Sequence, residues 1–265
     1  VANAYYKQHW VEVEPERQGA YDEILAYHPA LDPLLQPLEP GLGMRLLDVG
    51  SGPGYTALEM ARRVGASGRV VGVDINADFV AAASRRARAQ GLNAEFVQAA
   101  VPPLPFPDRS FERVLCKNVL EYVDSAADTM AEMARVAASG AIVVAIDSDW
   151  EMLALELAPR AQALSDRVIA AARAIAVNEP RIGRRLHGLM RRAGLDEVKV
   201  SVFASADTRG HLAVMLRQSL ARYARDSGAV SAAEVERWLG AVDEAIAAGE
   251  YLFMLPQFVA RGMKR

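Results

Sequence analysis

Ten residues, Leu46–Tyr55, constrain this chain more than any other stretch. They read LLDVGSGPGY, an apolar run closed by Gly50, Gly52 and Gly54. A short apolar run ending in glycine reads as a buried strand entering a turn. Beyond it, YTALEMARRVG has the helical spacing of Leu58, Ala61 and Val64 and stops at Gly65. Glycines permit positive φ and let the backbone approach a ligand closely. The N-terminus of the following helix offers free N–H groups. A second strand, RVVGVD, ends in Asp74, 24 residues after Gly50. An acid there can accept hydrogen bonds from ribose hydroxyls, so the combination points to a nucleoside cofactor at the carboxyl edge of a parallel sheet.

The same turn narrows the cofactor. A pyrophosphate-binding loop reads GxGxxG, whereas this one reads GSGPG with Asp48 inside the end of the strand. That carboxylate repels pyrophosphate and suits a cationic or zwitterionic ligand. No GKS or GKT follows, which excludes a P-loop.

Alternation continues along the chain. Asn76 is placed to cap the helix FVAAASRRARAQG, whose arginines are expected on a solvated face. Strands are expected at Ala94–Gln98, Arg113–Lys117 and Gly140–Asp147, with a helix through Met130–Val136. Continuous apolar strands separated by helices require a parallel sheet covered on both faces, an α/β fold. A short helix is expected around Tyr21–Tyr27. After Trp150 the reading is helical over Met152–Val177, Ile182–Ala193, Gly210–Arg225 and Ala232–Ala248. Ser231 and Glu234 form a capping-box signature for the last of these. Between them DEVKVSVFAS alternates, with Val198, Val200 and Val202 on one face. YLFMLPQFVARG closes the chain as a strand with a bulge or edge position at Pro256. The organisation expected is a single domain over 1–265, with an N-terminal helical lid over 1–40, a core over 44–147, and helical cap insertions over 150–193 and 210–248.

Composition removes whole classes of function. With 30 Lys+Arg against 33 Asp+Glu, the net charge is −3. That argues against the broad positive surface nucleic-acid binding needs. The single cysteine, Cys116, can form neither an intrachain disulfide nor a multi-cysteine metal site. The four histidines, His9, His28, His187 and His211, are too dispersed for a paired metal motif, so no metal is expected. The first residues lack a signal-peptide pattern, and no apolar run reaches membrane-spanning length. The expectation is a cytoplasmic protein, monomer or homodimer, acting on a small organic molecule, with neither nucleic acid nor membrane as partner.

The segment LLDVGSGPGYTALEMARRVGASGRVVGVDIN resembles the first two cofactor motifs of the class I S-adenosylmethionine-dependent methyltransferases. LPFPDRSFERVLCKNVLEYV is similar to their stretch from the third strand to the fourth. The match runs from about Met44 to Asp147. A weaker similarity to the small-molecule branch covers IDSDW, LMRRAGLDEVKV and the closing FVARGMKR. The resemblance implies a Rossmann-like seven-stranded, mostly parallel sheet with helices on both faces and helical caps. It also implies S-adenosyl-L-methionine as cofactor and methyl transfer, oxygen being slightly favoured as the atom methylated, in a setting of bacterial secondary metabolism. Two alternatives stay open: non-methylating chemistry such as cyclisation or decarboxylation on the same cofactor, or a non-catalytic interaction protein that keeps the fold.

Carried over residue by residue, the resemblance puts Asp48 near the amino-acid part of the cofactor and Gly50, Ser51, Gly52 and Gly54 in its backbone cradle. Asp74 holds the ribose, Ile75 and Asn76 border adenine, and Lys117 and Asn118 lie at the methionyl end, with the Lys117 side chain solvated. Many relatives carry an Asp where this chain has Ala100, so backbone atoms of Ala99, Ala100 and Val101 are expected to meet adenine, or else Gln98 if the register is shifted by one or two. Tyr6 is assigned to the cofactor as well. Substrate contacts are expected from Tyr5, Trp10, Asp147, Trp150 and Met152. His9, His28 and Asp149 are the candidates for catalysis, since a histidine has suitable acidity for a general base. The arginines Arg184, Arg185, Arg191 and Arg192 are expected on a solvated helix face.

Overall fold

The computed structural model describes residues 5–13 and 25–265. Its centre is a seven-stranded sheet in the order β3-β2-β1-β4-β5-β9-β7. The strands are β1 (Arg45–Val49), β2 (Arg69–Asp74), β3 (Ala94–Gln98), β4 (Phe111–Lys117), β5 (Ala137–Ser148), β7 (Leu195–Phe203) and β9 (Gln257–Lys264). Only β9 is reversed, pairing antiparallel with both β5 and β7. Strand order turns over between β1 and β4, the place where an open α/β sheet leaves a crevice at its carboxyl edge.

Strand composition explains the layers. On β1, Leu47 and Val49 pack to one side and Leu46 to the other; on β5, Val143 and Ala145 oppose Ile142, Val144 and Ile146. Both faces are apolar, so both need cover. Met130 and Met133 of α5 (Ala126–Val136) and Ile182, Leu186 and Met190 of α7 (Ile182–Arg192) cover the first face. Leu35 of α2 (Asp32–Leu35) and Met60 and Val64 of α3 (Tyr55–Val64) cover the second. The helix α4 (Ala77–Ala89) starts at Asn76, whose side chain accepts from the Phe79 N–H at 2.9 Å.

A separate apolar cluster forms the cap. It joins α6 (Pro159–Ala176), α9 (Ala221–Asp226) and α10 (Ala232–Ala248) around Trp238, Tyr251, Phe253 and Val168. The expected capping box at Ser231 and Glu234 is present at the start of α10. Between the short α8 (Ala213–Met215) and α9, residues Leu216–Leu220 form a π-helical turn, a distortion that often marks a functional site. The remaining described helix, α1 (Tyr5–Val11), belongs to the N-terminal segment.

Several sequence expectations need correction. Residues 21–24 of the helix expected around Tyr21–Tyr27 lie outside the described residues, and 25–27 form a turn. The helix expected from Met152 begins at Pro159, because Trp150–Met152 is a 3-10 turn and β6 (Ala154–Glu156) intervenes. The closing segment is two strands: β8 (Leu252–Met254) pairs with β6 in a separate ribbon, and β9 enters the main sheet. Pro256 lies between them, where the missing N–H interrupts no ladder. Val198 packs on the core, but Val200 and Val202 are exposed on the edge strand β7, whose register shifts between Asp196 and Lys199.

Candidate functional site

A cavity of about 260 Å³ opens at the carboxyl ends of β1, β2 and β4. One end is built from backbone and carboxylates. Gly50, Gly52 and Gly54 have φ of 71°, 52° and 87°. The Gly50 and Ser51 N–H groups donate to the Val73 carbonyl at 2.7 and 2.9 Å, which fastens the turn to β2. A Cβ on Gly50 would stand 2.1 Å from Val119, whereas one on Gly52 would meet nothing closer than Leu25 at 3.8 Å. Gly50 is therefore required by packing and Gly52 leaves the cavity floor open. Asp74 accepts from the Gly52 N–H at 2.7 Å and the Asn76 N–H at 2.9 Å. Burial raises its pKa, against those backbone donors.

Asp48 is buried in the same wall, and burial, reinforced by the Asp74 charge, raises its carboxyl to about 7 against the pull of Lys117. The Lys117 side chain, expected in solvent, instead lines the cavity beside Asp48, Asp147 and Glu121. Burial lowers its pKa and the three carboxyls oppose that. Behind it, Glu121 and Asp147 are buried as a carboxyl pair; burial raises both, and the Glu121 charge raises Asp147 further. Two buried polar atoms on the cavity wall, Ser51 Oγ and Asn118 Oδ1, have no protein partner. Asn118 also has a φ of 54°, and such backbone strain concentrates at ligand sites.

The other end is built from side chains of distant segments. Trp10, Tyr122, Trp150 and Tyr223 supply aromatic wall, with Met215, Ser219 and Leu220 from the α8–α9 run. Trp150 is fixed by its indole N–H, which donates to Glu121 Oε2 at 2.8 Å. The helix α1 crosses this end and is tied on three sides. Asn76 donates to the Trp10 carbonyl at 3.0 Å. Tyr6 and Lys7 reach Asp124 at 2.9 and 2.5 Å, and the Tyr5 hydroxyl donates to Asp226 at 2.5 Å.

The cavity thus brings together Asp48, Gly50, Ser51, Gly52, Asp74, Ile75, Ala99, Val101, Lys117, Asn118, Trp10 and Trp150. It does not bring in the others. Tyr5 and Tyr6 serve as ties of α1, Asn76 caps α4, and Gly54 packs against Ala83 and Phe96. Ala100 is off the wall, Met152 is 42% exposed, and Asp147 lies behind Lys117. His28 caps a surface 3-10 turn through the Ala30 N–H at 3.1 Å. Asp149 is wholly buried and held by Arg184 at 2.6 and 2.8 Å, while Arg184 itself stays exposed with Arg185, Arg191 and Arg192, as expected of a solvated helix face. His9 is buried just outside the cavity wall, behind Tyr223.

Sequence reasoning missed Lys7, Glu121, Tyr122, Met215, Ser219 and Tyr223. One signal was present: an acid in the apolar run NVLEYV. The others reach the cavity through tertiary packing only.

Residues 46–140 match a family model described as a methyltransferase domain. A ubiquinone/menaquinone biosynthesis C-methyltransferase of Serratia proteamaculans is 30% identical over 171 residues, 59% of this chain and 68% of that protein. The enzyme of the same description from Coxiella burnetii is 35% identical over 114 residues, 42% of this chain. There the match spans under half of the relative, 46% of its length. Among solved structures, the YcgJ protein of Bacillus subtilis superposes with a TM-score of 0.60 at 19% identity, covering 90% of this chain and 99% of that one, a likeness of fold.

Proposed function

The chain belongs to the class I S-adenosylmethionine-dependent methyltransferases, and on that premise we propose that it methylates a small, flat organic acceptor seated among Trp10, Tyr122, Trp150 and Tyr223. The observation that carries this reading is the continuity of the cavity: a cofactor end with two carboxylates runs into an aromatic end without a break. The residues fit the cofactor. Asp74 would hold ribose hydroxyls; Asp48 and the unpartnered Asn118 Oδ1 and Ser51 Oγ would meet its zwitterionic amino-acid end. Bound there, S-adenosylmethionine supplies a methyl group already activated on a cationic sulfur.

The chain's own contribution is alignment and exclusion of water. Trp150, held by Glu121, and Tyr122 orient the acceptor's flat face, and we assign to α1 alone, from the lid segment expected over 1–40, the closing of the aromatic end. Asp149 pairs with Arg184 of α7, the helix that covers the first face of the sheet, and His28 supports the surface turn before α2. Ala99 and Val101 border the adenine. We favour oxygen as the atom methylated. The named relatives are C-methyltransferases of quinone biosynthesis, which also weighs against a secondary-metabolic setting. Among the described residues no helix is long and apolar enough to cross a membrane. The test is transfer of a ¹³C-labelled methyl group to a panel of phenols, enols and amines, with the product read by carbon NMR. O-methyl product from a hydroxylated aromatic supports the reading; C-methyl product corrects the atom. No product from any flat acceptor, with S-adenosylhomocysteine bound, overturns the acceptor class.

A further inference from the structure

Tyr223 and His9 form a connected pair that crosses the cavity wall. The His9 Nδ1 lies 2.6 Å from the Tyr5 carbonyl oxygen. A carbonyl oxygen can only accept, so Nδ1 carries the proton and neutral His9 presents its Nε2 lone pair. That Nε2 faces the Tyr223 hydroxyl at 3.3 Å, a long hydrogen bond of the kind that tightens when an active site fills. Tyr223 lines the cavity, whereas His9 lines a separate depression outside, with Tyr5, Gln8, Glu12, Val13 and Arg222. The pair therefore has one member on the acceptor side and one on the solvent side.

We propose that Tyr223 is the catalytic proton acceptor, that His9 acts through it as the positioning and proton-storing residue, and that the acceptor is a neutral phenol- or enol-type hydroxyl. The inference rests on the methyl-transfer reading and deepens it. In the step, the acceptor's O–H bond breaks and its proton passes to the Tyr223 oxygen as the Tyr223 proton passes to His9 Nε2. The acceptor's electron pair forms the bond to the methyl carbon, and the carbon–sulfur bond breaks with its pair left on sulfur. His9 then releases its proton through the outer depression, whose described lining includes the Glu12 carboxylate and the Arg222 cation. The other charged groups around α1 are engaged elsewhere: Asp226 with Tyr5 and Arg222, and Asp124 with Lys7 and Tyr6. The rings of Tyr5, Trp10 and Tyr122 lie within 5.8 Å of the His9 ring and hold the imidazole in place.

The arrangement also explains why His9 need not enter the cavity. A phenolic hydroxyl is a poor base in water, but one that hands its own proton to an imidazole at the same moment avoids forming a free oxonium. A neutral phenol or enol needs such a device, because it is a weaker acid than an imidazolium by about 3–4 pKa units and its proton leaves only as the oxygen forms its bond to the methyl carbon. The two-residue relay suits this better than a direct histidine contact, since the imidazole stays packed among aromatic rings while only the hydroxyl meets the acceptor.

The test uses 4-nitrophenol, whose ionised form absorbs at a distinct wavelength, with the S-adenosylhomocysteine-saturated full chain. In the parent protein the bound probe should ionise about one pH unit below the free probe, a tenfold shift in its ionisation constant. Tyr223→Phe and His9→Gln should each return it to the free value. Both variants should keep the parent's circular dichroism and S-adenosylhomocysteine affinity. A second readout is transfer rate across phenols of graded acidity. The variants should lose at least tenfold on weakly acidic phenols and little on phenols already ionised. Identical probe titrations in all three proteins, or a uniform rate loss across the series, overturn the assignment. Failure of the probe to bind while S-adenosylhomocysteine binds overturns the phenol class. Failure of S-adenosylhomocysteine itself overturns the methyl-transfer reading beneath it.

Discussion

The two ends of the cavity are made in opposite ways. At the cofactor end a single local stretch, from Asp48 through the glycine turn to Asp74, supplies backbone N–H groups and two carboxylates. At the aromatic end Trp10, Tyr122, Trp150 and Tyr223 come from four separate segments and meet only because the cap folds over the sheet. A local motif fixes chemistry that does not vary with the acceptor. Side chains gathered by tertiary packing can change one at a time and so retune what is methylated. Substitutions at the first end should therefore damage cofactor binding or the core, while those at the second should spare both.

The largest effect expected is at Gly50. A Cβ there enters the left-handed region and meets Val119 at 2.1 Å, so Gly50→Ala should cost roughly 3–4 kcal/mol. Gly52→Ala has the same backbone penalty without the clash and should cost only about 1 kcal/mol. Denaturant titration separates them; equal losses would mean the turn is not braced by Val119. Arg184→Ala comes next. It removes the charged partner of buried Asp149, which keeps the Glu151 N–H as a donor, and should lower stability less than Gly50→Ala does. Affinity for S-adenosylhomocysteine should stay unchanged; a selective loss of turnover without loss of stability would return Asp149 to the catalytic group.

These two cases also mark what the sequence discloses. The Rossmann-like sheet was legible because its strands are apolar on both faces and its turn is glycine-bound, and each of these is a local property. Asp48 and Asp74 were legible by their positions at strand ends. Lys117 was misread as solvated because Asp48 and Asp147, two of the three carboxyls beside it, come from other strands; only Glu121, four residues on in the apolar run NVLEYV, gave a local signal. Asp149 looked catalytic for the same reason: Arg184 lies 35 residues further on. Tyr223 gave no signal, since its place on the wall depends on the π-helical turn before α9.

A smaller effect follows from Asp48. Its folded pKa, about 7, stands above the usual unfolded value near 4. The folded state therefore holds more protons between those values, and stability falls as pH rises from about 4 to about 7, then levels. Asp48→Asn should remove part of that decline, on the order of 2 kcal/mol at pH 8. Thermal unfolding across pH checks this; an unchanged slope would assign the decline to Glu121 and Asp147. Smallest is the lid. Removing residues 1–12 should leave the sheet folded and reduce turnover about tenfold, or about 1.4 kcal/mol of barrier. Full activity in the truncated chain would show that α1 is not needed to close the aromatic end.

The division between the two ends is tested most directly by calorimetric titration of S-adenosylhomocysteine into the parent protein, Asp74→Ala and Tyr223→Phe. The account predicts micromolar binding to the parent, about −8 kcal/mol. Asp74→Ala should weaken it by roughly 1–3 kcal/mol, the loss of charge-assisted hydrogen bonds to the ribose. Tyr223→Phe should bind as the parent does. No detectable binding by the folded parent, or equal weakening by the two substitutions, would contradict it.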